Sequence, residues 1–331
     1  MTYRVGSMFA GIGGTCLGFI QAGARIVWAN EIDKNACITY RNYFGDAYLQ
    51  EGDINLIDKN SIPELDILIG GFPCQAFSIA GYRKGFEDER GNVFFQILEV
   101  LEAQRPQAIM LENVKNLFTH DRGNTYRVIK EALEAFGYTV KAEVLNSMEY
   151  GNVPQNRERI YIVGFQDESQ AERFSFPDPI PLTNQLNDVI DRTRRVDKRY
   201  YYDETSQYYD MLREAMDSTD TTYQIRRIYV RENRSNVCPT LTANMGTGGH
   251  NVPIVLDFEN NIRKLTPEEC LLLQGFPADY HFPEGMANTH KYKQAGNSVT
   301  VPVIRRIATN IISVLNIGMN INQEHEYAIA E

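Results

Sequence analysis

Leu65-Asp66-Ile67-Leu68-Ile69-Gly70-Gly71-Phe72-Pro73-Cys74-Gln75 decides how the chain is read. An apolar run this short, stopped by glycines and a proline, reads as a buried strand. A second run, Ala108-Ile109-Met110-Leu111, ends on Glu112-Asn113-Val114 after a segment long enough for a helix. Two such runs are parallel strands of an α/β sheet, and such sheets gather ligands outside the carboxyl ends of their strands. Cys74 and Glu112 are therefore expected side by side on that rim. Taken singly, a cysteine is usually a small buried apolar group and a glutamate after a strand is usually a cap. Two neighbours raise both residues above that. Pro73 stiffens the turn, and the charged stretch from Gly81 to Gly91 is bounded by glycines as a hinged lid would be.

The chain has 331 residues, 43% of them hydrophobic, enough for one large domain and a smaller one. Its start shows no signal-peptide pattern, and no apolar stretch is expected to approach the roughly 20 residues of a membrane span. The expectation is a cytoplasmic protein without membrane contact. Five scattered cysteines with no C-x-x-C pair suggest neither a disulfide framework nor a zinc site, so no metal is expected. A net charge of −10 argues against polyanion binding by the whole surface, but charge acts locally. Arg226, Arg227, Arg231 and Arg234 face only Glu232 in their stretch, and Arg192, Arg194, Arg195, Lys198 and Arg199 form a second basic cluster. Either cluster alone reads equally well as a solvated face.

The first half alternates strand and helix. Strands are predicted over Tyr3 to Phe9, Arg25 to Asn30, Leu65 to Gly70, Ala108 to Leu111, Tyr138 to Leu145 and Ile160 to Phe165, giving a doubly wound, mostly parallel sheet. Ile129, Ala132, Leu133 and Phe136 repeat at helical spacing, with Gly137 as the stop. From about Pro177 the pattern dissolves into loop-rich sequence. Thr266-Pro267-Glu268-Glu269 then starts a helix with a capping box, and the apolar face of Ile304, Ile307, Ala308, Ile311 and Leu315 is expected to dock back on the sheet. The predicted division is a catalytic unit of residues 1–184 and 263–331, with residues 185–262 inserted and the tail from Gln323 frayed.

Phe9-Ala10-Gly11-Ile12-Gly13-Gly14 follows the first strand as a tight turn that lets a ligand approach the backbone. Cys16 stands where the dinucleotide fingerprint needs a third glycine, which demotes NAD and a hydride-transfer enzyme. Glu31 and Asp53 follow strands two and three, placed to accept ribose hydroxyls and an adenine amine unless they serve only as caps. A nucleoside ligand without a phosphate cradle points to S-adenosylmethionine.

Taken in order, Phe9 to Gly14, Asn30-Glu31, Gly52-Asp53-Ile54, Pro73-Cys74-Gln75, Glu112-Asn113-Val114, Gln155-Asn156-Arg157-Glu158-Arg159, Arg263 to Glu269 and Gly296-Asn297-Ser298-Val299 resemble the cytosine-C5 DNA methyltransferases of restriction-modification systems. The resemblance covers nearly the whole chain. It implies a Rossmann-like S-adenosylmethionine-dependent fold with a smaller, mainly β target-recognition domain. It also implies that Cys74 attacks C6 of a flipped-out cytosine, because C5 is a poor nucleophile until that adduct makes it enamine-like. By the same resemblance Glu112 hydrogen-bonds N3 and the exocyclic amine, Arg159 binds the O2 side, and Arg157 supports the Cys74 loop. Phe9, Gly11, Gly13, Gly14, Glu31, Asp53, Ile54, Asn297 and Ser298 become cofactor-binding candidates, with S-adenosyl-L-homocysteine as product. Arg83, Lys84 and Arg90 of the lid, with Arg226, Arg227, Arg231, Thr240 and Gly248, become DNA-binding candidates. The expected partners are double-stranded DNA and a cognate restriction endonuclease that meets the same site without touching this chain. The expected state is a monomer.

Two residues depart from the commonest family pattern: Ser7 where many relatives carry Asp, and Ala80 where some carry Ser. A tRNA cytosine methyltransferase of the same fold would keep the same catalytic residues. A silent DNA-binding homologue would be expected to have lost Cys74, Glu112 or Arg159, and all three are present.

Overall fold

A computed structural model describes residues 2–72, 93–233, 236–247 and 251–330 of the chain. Pro73, Cys74, Gln75, Ala80, Arg83, Lys84, Arg90 and the whole expected lid lie outside the described residues, as do Arg234 and Gly248.

Eight strands of the first half appear in chain order: β1 (Arg4–Met8), β2 (Arg25–Glu31), β3 (Leu49–Glu51), β4 (Ile67–Gly71), β5 (Ala108–Val114), β6 (Thr139–Asn146), β7 (Gln155–Asn156) and β8 (Glu158–Phe165). Seven of them form one sheet in the order β3-β2-β1-β4-β5-β8-β6. The pairs from β3 through β5 are parallel, while β8 runs antiparallel between β5 and β6. Alternation along β4 explains why the sheet is covered on both sides. Ile67 and Ile69 join Phe19, Ile304 and Ile307 on one face, and Leu68 joins Ile97, Leu101, Ile129 and Leu133 on the other.

The covering helices include α1 (Gly14–Gln21), α2 (Lys34–Phe44), α3 (Val93–Gln104) and α4 (Asn124–Ala135). Toward the C-terminus come α5 (Pro267–Leu272), α6 (Asn288–Asn297) and α7 (Val301–Ala330). The α5 start is the capping box read from the sequence: Thr266 Oγ1 accepts from the Glu269 amide at 3.1 Å and Glu269 Oε2 from the Thr266 amide at 2.7 Å. The same carboxylate holds the fully buried Arg263 through two bonds of 2.7 and 2.8 Å. Helices α1 and α7 approach so closely that a Cβ on Gly18 would lie 2.5 Å from Ile304.

Two expectations are corrected here. The stretch Asn288–Gly318 does have the length and mean hydropathy, 1.3, of a membrane span. Yet 61% of that window is buried inside the protein, so its apolarity serves the sheet rather than a bilayer. Nor does the tail break at Gln323, since α7 continues through Ala330.

The inserted region builds β9 (Tyr223–Arg226), β10 (Tyr229–Glu232), β11 (Cys238–Pro239), β12 (Ile254–Leu256) and β13 (Ile262–Lys264). Four of these make an antiparallel sheet in the order β10-β9-β12-β13. It has its own core of Leu212, Met216, Tyr223, Ile225, Ile254, Leu256 and Ile262. Because β13 reaches Lys264, this sheet crosses the expected boundary between residues 262 and 263. The short parallel pair of β7 with β11 ties the two parts together.

Candidate active site and nucleic-acid cleft

The turn after β1 is shaped by backbone demands. Phe9, Gly11 and Gly13 have φ of +53°, +56° and +81°. Glycine satisfies two of these without cost, whereas the non-glycine Phe9 holds a strained conformation beside the site. A Cβ on Gly13 would lie 2.2 Å from Phe44, and one on Gly14 would lie 2.6 Å from Ser298 Oγ. A Cβ on Gly11 would meet nothing within 4 Å, because Gly11 opens onto a cavity.

That cavity has a volume of about 520 Å³, within the range of about 300–1,000 Å³ usual for a small-molecule site. Phe9, Gly11, Gly14, Glu31, Asn297 and Ser298 line it, together with Glu112, Arg157 and Arg159. It therefore brings most of the expected cofactor residues and three of the expected catalytic residues into one space. Gly13 shapes the turn from behind. Asp53 and Ile54 are not on this wall: Ile54 packs with Trp28 and Phe72, while Asp53 Oδ1 accepts from the Asn55 amide at 2.9 Å. That backbone bond holds the Asp53 carboxyl below its usual range.

Glu31 is already much engaged. Its Oε2 accepts from the Gly11 amide at 2.8 Å, and Oε1 accepts from the amides of Ile32 and Asp33 at 2.8 and 2.7 Å. A carboxylate has about four acceptor sites, so roughly one remains, on Oε2, for a ligand hydroxyl. An aromatic ring, an open glycine turn and one spare carboxylate lone pair suit the nucleoside of S-adenosylmethionine. The residues present fit the cofactor.

Sequence reading missed part of this wall: Asp33, Thr242, Asn244 and Lys293 also line the cavity, and Lys293 Nζ meets Asp33 Oδ2 at 2.8 Å. The Lys293 bond, with backbone bonds from Ala36 and Asn35, outweighs burial and lowers the Asp33 pKa. Asp33 stands immediately before α2, a place that could have flagged it as an N-cap. Lys293 is 260 residues away and left no such signal.

At the other end, Arg159 Nε stands 3.0 Å from Glu112 Oε1, with both side chains nearly buried. The antiparallel register of β5 with β8 aligns Val114 with Arg159 and Glu112 with Tyr161, which brings the two charges together. Burial, then the Glu112 charge, raises the Tyr161 hydroxyl above its usual pKa. One residue along, Asn113 Nδ2 donates to Phe72 O at 2.8 Å, anchoring the last described residue before Pro73.

Arg157 was expected to support the Cys74 loop, which lies outside the described residues; among the described residues its side-chain partners are backbone carbonyls. Its Nη1 donates to Leu241 O at 2.7 Å, and its Nη2 donates to Ser298 O and, at 3.4 Å, to Gly296 O. It is 2% exposed, and burial with the neighbouring Arg159 charge pushes its pKa down to about 9. Thus the guanidinium ties one carbonyl of the inserted region, Leu241, to carbonyls at the end of α6. Thr240 Oγ1 likewise donates to Asn156 O at 2.7 Å, and the Leu241 amide to Gln155 Oε1 at 3.1 Å. In the glycine-rich segment that follows, Gly246 approaches α6, where a Cβ would lie 2.4 Å from Thr289 O, while the DNA-binding candidate Gly248 lies outside the described residues.

A second cavity, about 910 Å³, runs between the two parts of the molecule. Lys115, Asn116 and Asn156 form one wall, and Gln224, Arg226, Arg231, Thr240 and Asn251 the other. Val114, Arg159 and Thr242 line both cavities, so they share a wall. Arg227 is exposed at the β9–β10 turn and is not part of that lining.

Comparison with known proteins agrees with this geometry. A family model described as C-5 cytosine-specific DNA methylase matches residues 3–313. The chain is 57% identical over 311 residues to the Type II methyltransferase M.Bsp6I of Bacillus sp. (strain RFL6), covering 93% of this chain and 98% of the relative. It is 37% identical over 323 residues to the Type II methyltransferase M.HhaI of Haemophilus parahaemolyticus, covering 93% and 94%. Among solved structures, a Spodoptera frugiperda DNMT2 mutant superposes with a TM-score of 0.72 at 20% identity, covering 94% of this chain and all of that one, a likeness of fold.

Proposed function

Because the chain belongs to the C-5 cytosine-specific DNA methylase family, we propose that Glu112, Arg159 and Cys74 form one catalytic centre where its two cavities meet. The protein is a DNA (cytosine-5-)-methyltransferase that uses S-adenosylmethionine. The observation that carries the proposal is the 3.0 Å pair of Arg159 with Glu112, with Arg159 on the wall common to both cavities.

In this reading a cytosine leaves the duplex in the larger cleft and enters beside Glu112, at an unstacking cost of a few kcal/mol. Arg159 holds the O2 side, and Glu112 engages N3 and the exocyclic amine. The Cys74 thiolate adds to C6, which turns C5 into an enamine-like nucleophile. The cofactor, when bound, supplies an electrophilic methyl group. With the methyl on C5, the C5 proton passes to a base such as water and the Cys74–C6 bond breaks, returning the thiolate. Phe9 packs on the adenine. Glu31 accepts a ribose hydroxyl, and Asn297 and Ser298 support the methionine end. Asp53 remains proposed for the adenine amine, Ile54 as a cofactor contact, and Gly13 for turn geometry.

Residues 1–184 and 263–331 act as the catalytic unit and residues 185–262 as the target reader, with Arg83, Lys84, Arg90, Arg226, Arg227, Arg231, Thr240 and Gly248 toward DNA. The enzyme works in the cytoplasm as a monomer. Its methylation protects DNA from a cognate restriction endonuclease, a role supported by the relatives being Type II methyltransferases.

Bisulfite sequencing of plasmid DNA from a methylation-deficient host tests the whole reading. Protected cytosines confined to one short motif, and lost with Cys74→Ser, are expected. Full conversion with a folded protein would sink it.

A further inference from the structure

The β9–β10 register pairs Gln224 with Arg231 and Arg226 with Tyr229. Successive side chains on a strand point to opposite faces, so these four share one face of the hairpin. Tyr223, Ile225 and Val230 occupy the other face and pack with Leu212, Ile254 and Leu256. One face is thus committed to a core, while Gln224, Arg226 and Arg231 of the other line the large cleft.

A cation that only balances phosphate charge needs no fixed orientation. Arg226 has one. Gln224 is 9% exposed, and its Oε1 accepts from Arg226 Nη2 at 2.9 Å. That bond fixes the plane of the guanidinium while leaving four of its five N–H donors. A planar donor fork held at a set angle matches the paired acceptors O6 and N7 of guanine. The major groove is about 12 Å wide and admits a two-stranded β-ribbon.

We infer that the β9–β10 hairpin enters the major groove as a reading ribbon, and that Arg226, oriented by Gln224, recognises a guanine in the target motif. Arg227, at the hairpin turn and off the cleft wall, contacts phosphate instead. The inference deepens the DNA methyltransferase reading and rests on it.

The experiment measures methylation of duplexes in which each guanine of the protected motif is replaced in turn by 7-deazaguanine, which keeps base pairing but lacks N7. Wild-type enzyme should lose about 10-fold or more in kcat/KM at one such position. Arg226→Ala should be slow on the unmodified duplex, indifferent to the substitution there, and relaxed at that position in bisulfite sequencing. Gln224→Ala keeps the charge but should lose most of the discrimination. Gln224→Glu, which retains an acceptor, should restore it.

An Arg226→Ala defect equal on every duplex would make Arg226 a phosphate contact and overturn the inference. So would a wild-type enzyme insensitive to every 7-deazaguanine, a result that needs no variant to fold. Discrimination intact in Gln224→Ala would remove Gln224 as a positioning residue. Failure of the wild type on all unmodified duplexes would strike the enzyme reading itself, and it is seen before any variant is compared.

Discussion

The two cavities are made from different materials. The smaller is built largely from backbone: turn glycines whose φ or neighbours exclude a side chain, amides that hold Glu31, and carbonyls held by Arg157. The larger is lined mostly by polar side chains, and Arg226 and Arg231 can be exchanged there without disturbing a core. Chemistry common to every substrate is thus placed where almost any substitution costs structure. Sequence preference is placed where substitution costs only preference.

Removing the nucleophile should break the comparison most completely. Cys74→Ser is expected to slow methyl transfer by on the order of 10⁴-fold or more while the thermal melt stays in place, as measured by tritiated methyl incorporation. Arg263→Met tests whether the seam between the parts is as rigid as its buried ion pair implies. It leaves Glu269 uncompensated and should cost about 3–5 kcal/mol in a urea titration.

Glu112→Gln sharpens the contrast from the chemical side. It should lower single-turnover transfer by about 10²–10³-fold, with a much smaller change in duplex affinity. The smallest effect belongs to the side-chain-built region. Arg227→Ala should weaken duplex binding only a few-fold, uniformly across sequences, and reduce the slope of log affinity against log salt by about 0.9. An unchanged slope would remove Arg227 from the interface.

Legibility in the sequence follows the same division. The strands β4 and β5 could be read because a strand buried on both faces is written as an unbroken apolar run. The α5 start could be read because a capping box is local, three residues long. The strands β7 and β11 escaped notice, since two residues carry no period. The reversal of β8 was invisible for a different reason: strand direction is set by where the chain returns, not by its composition. Arg157 was singled out as important, yet its carbonyl partners lie 84 and 141 residues away, and no spacing rule reaches that far. The apolarity of α7 likewise does not say whether lipid or a sheet receives it.

Arg157, on the wall of the smaller cavity, also holds the chain at Leu241, between Thr240 and Thr242, which line the larger one. A single guanidinium gripping Leu241 on one side and Gly296 and Ser298 on the other cannot re-seat for one ligand without the other sensing it. Linkage is reciprocal, so whatever factor duplex DNA adds to cofactor affinity through this contact, the cofactor must return to DNA.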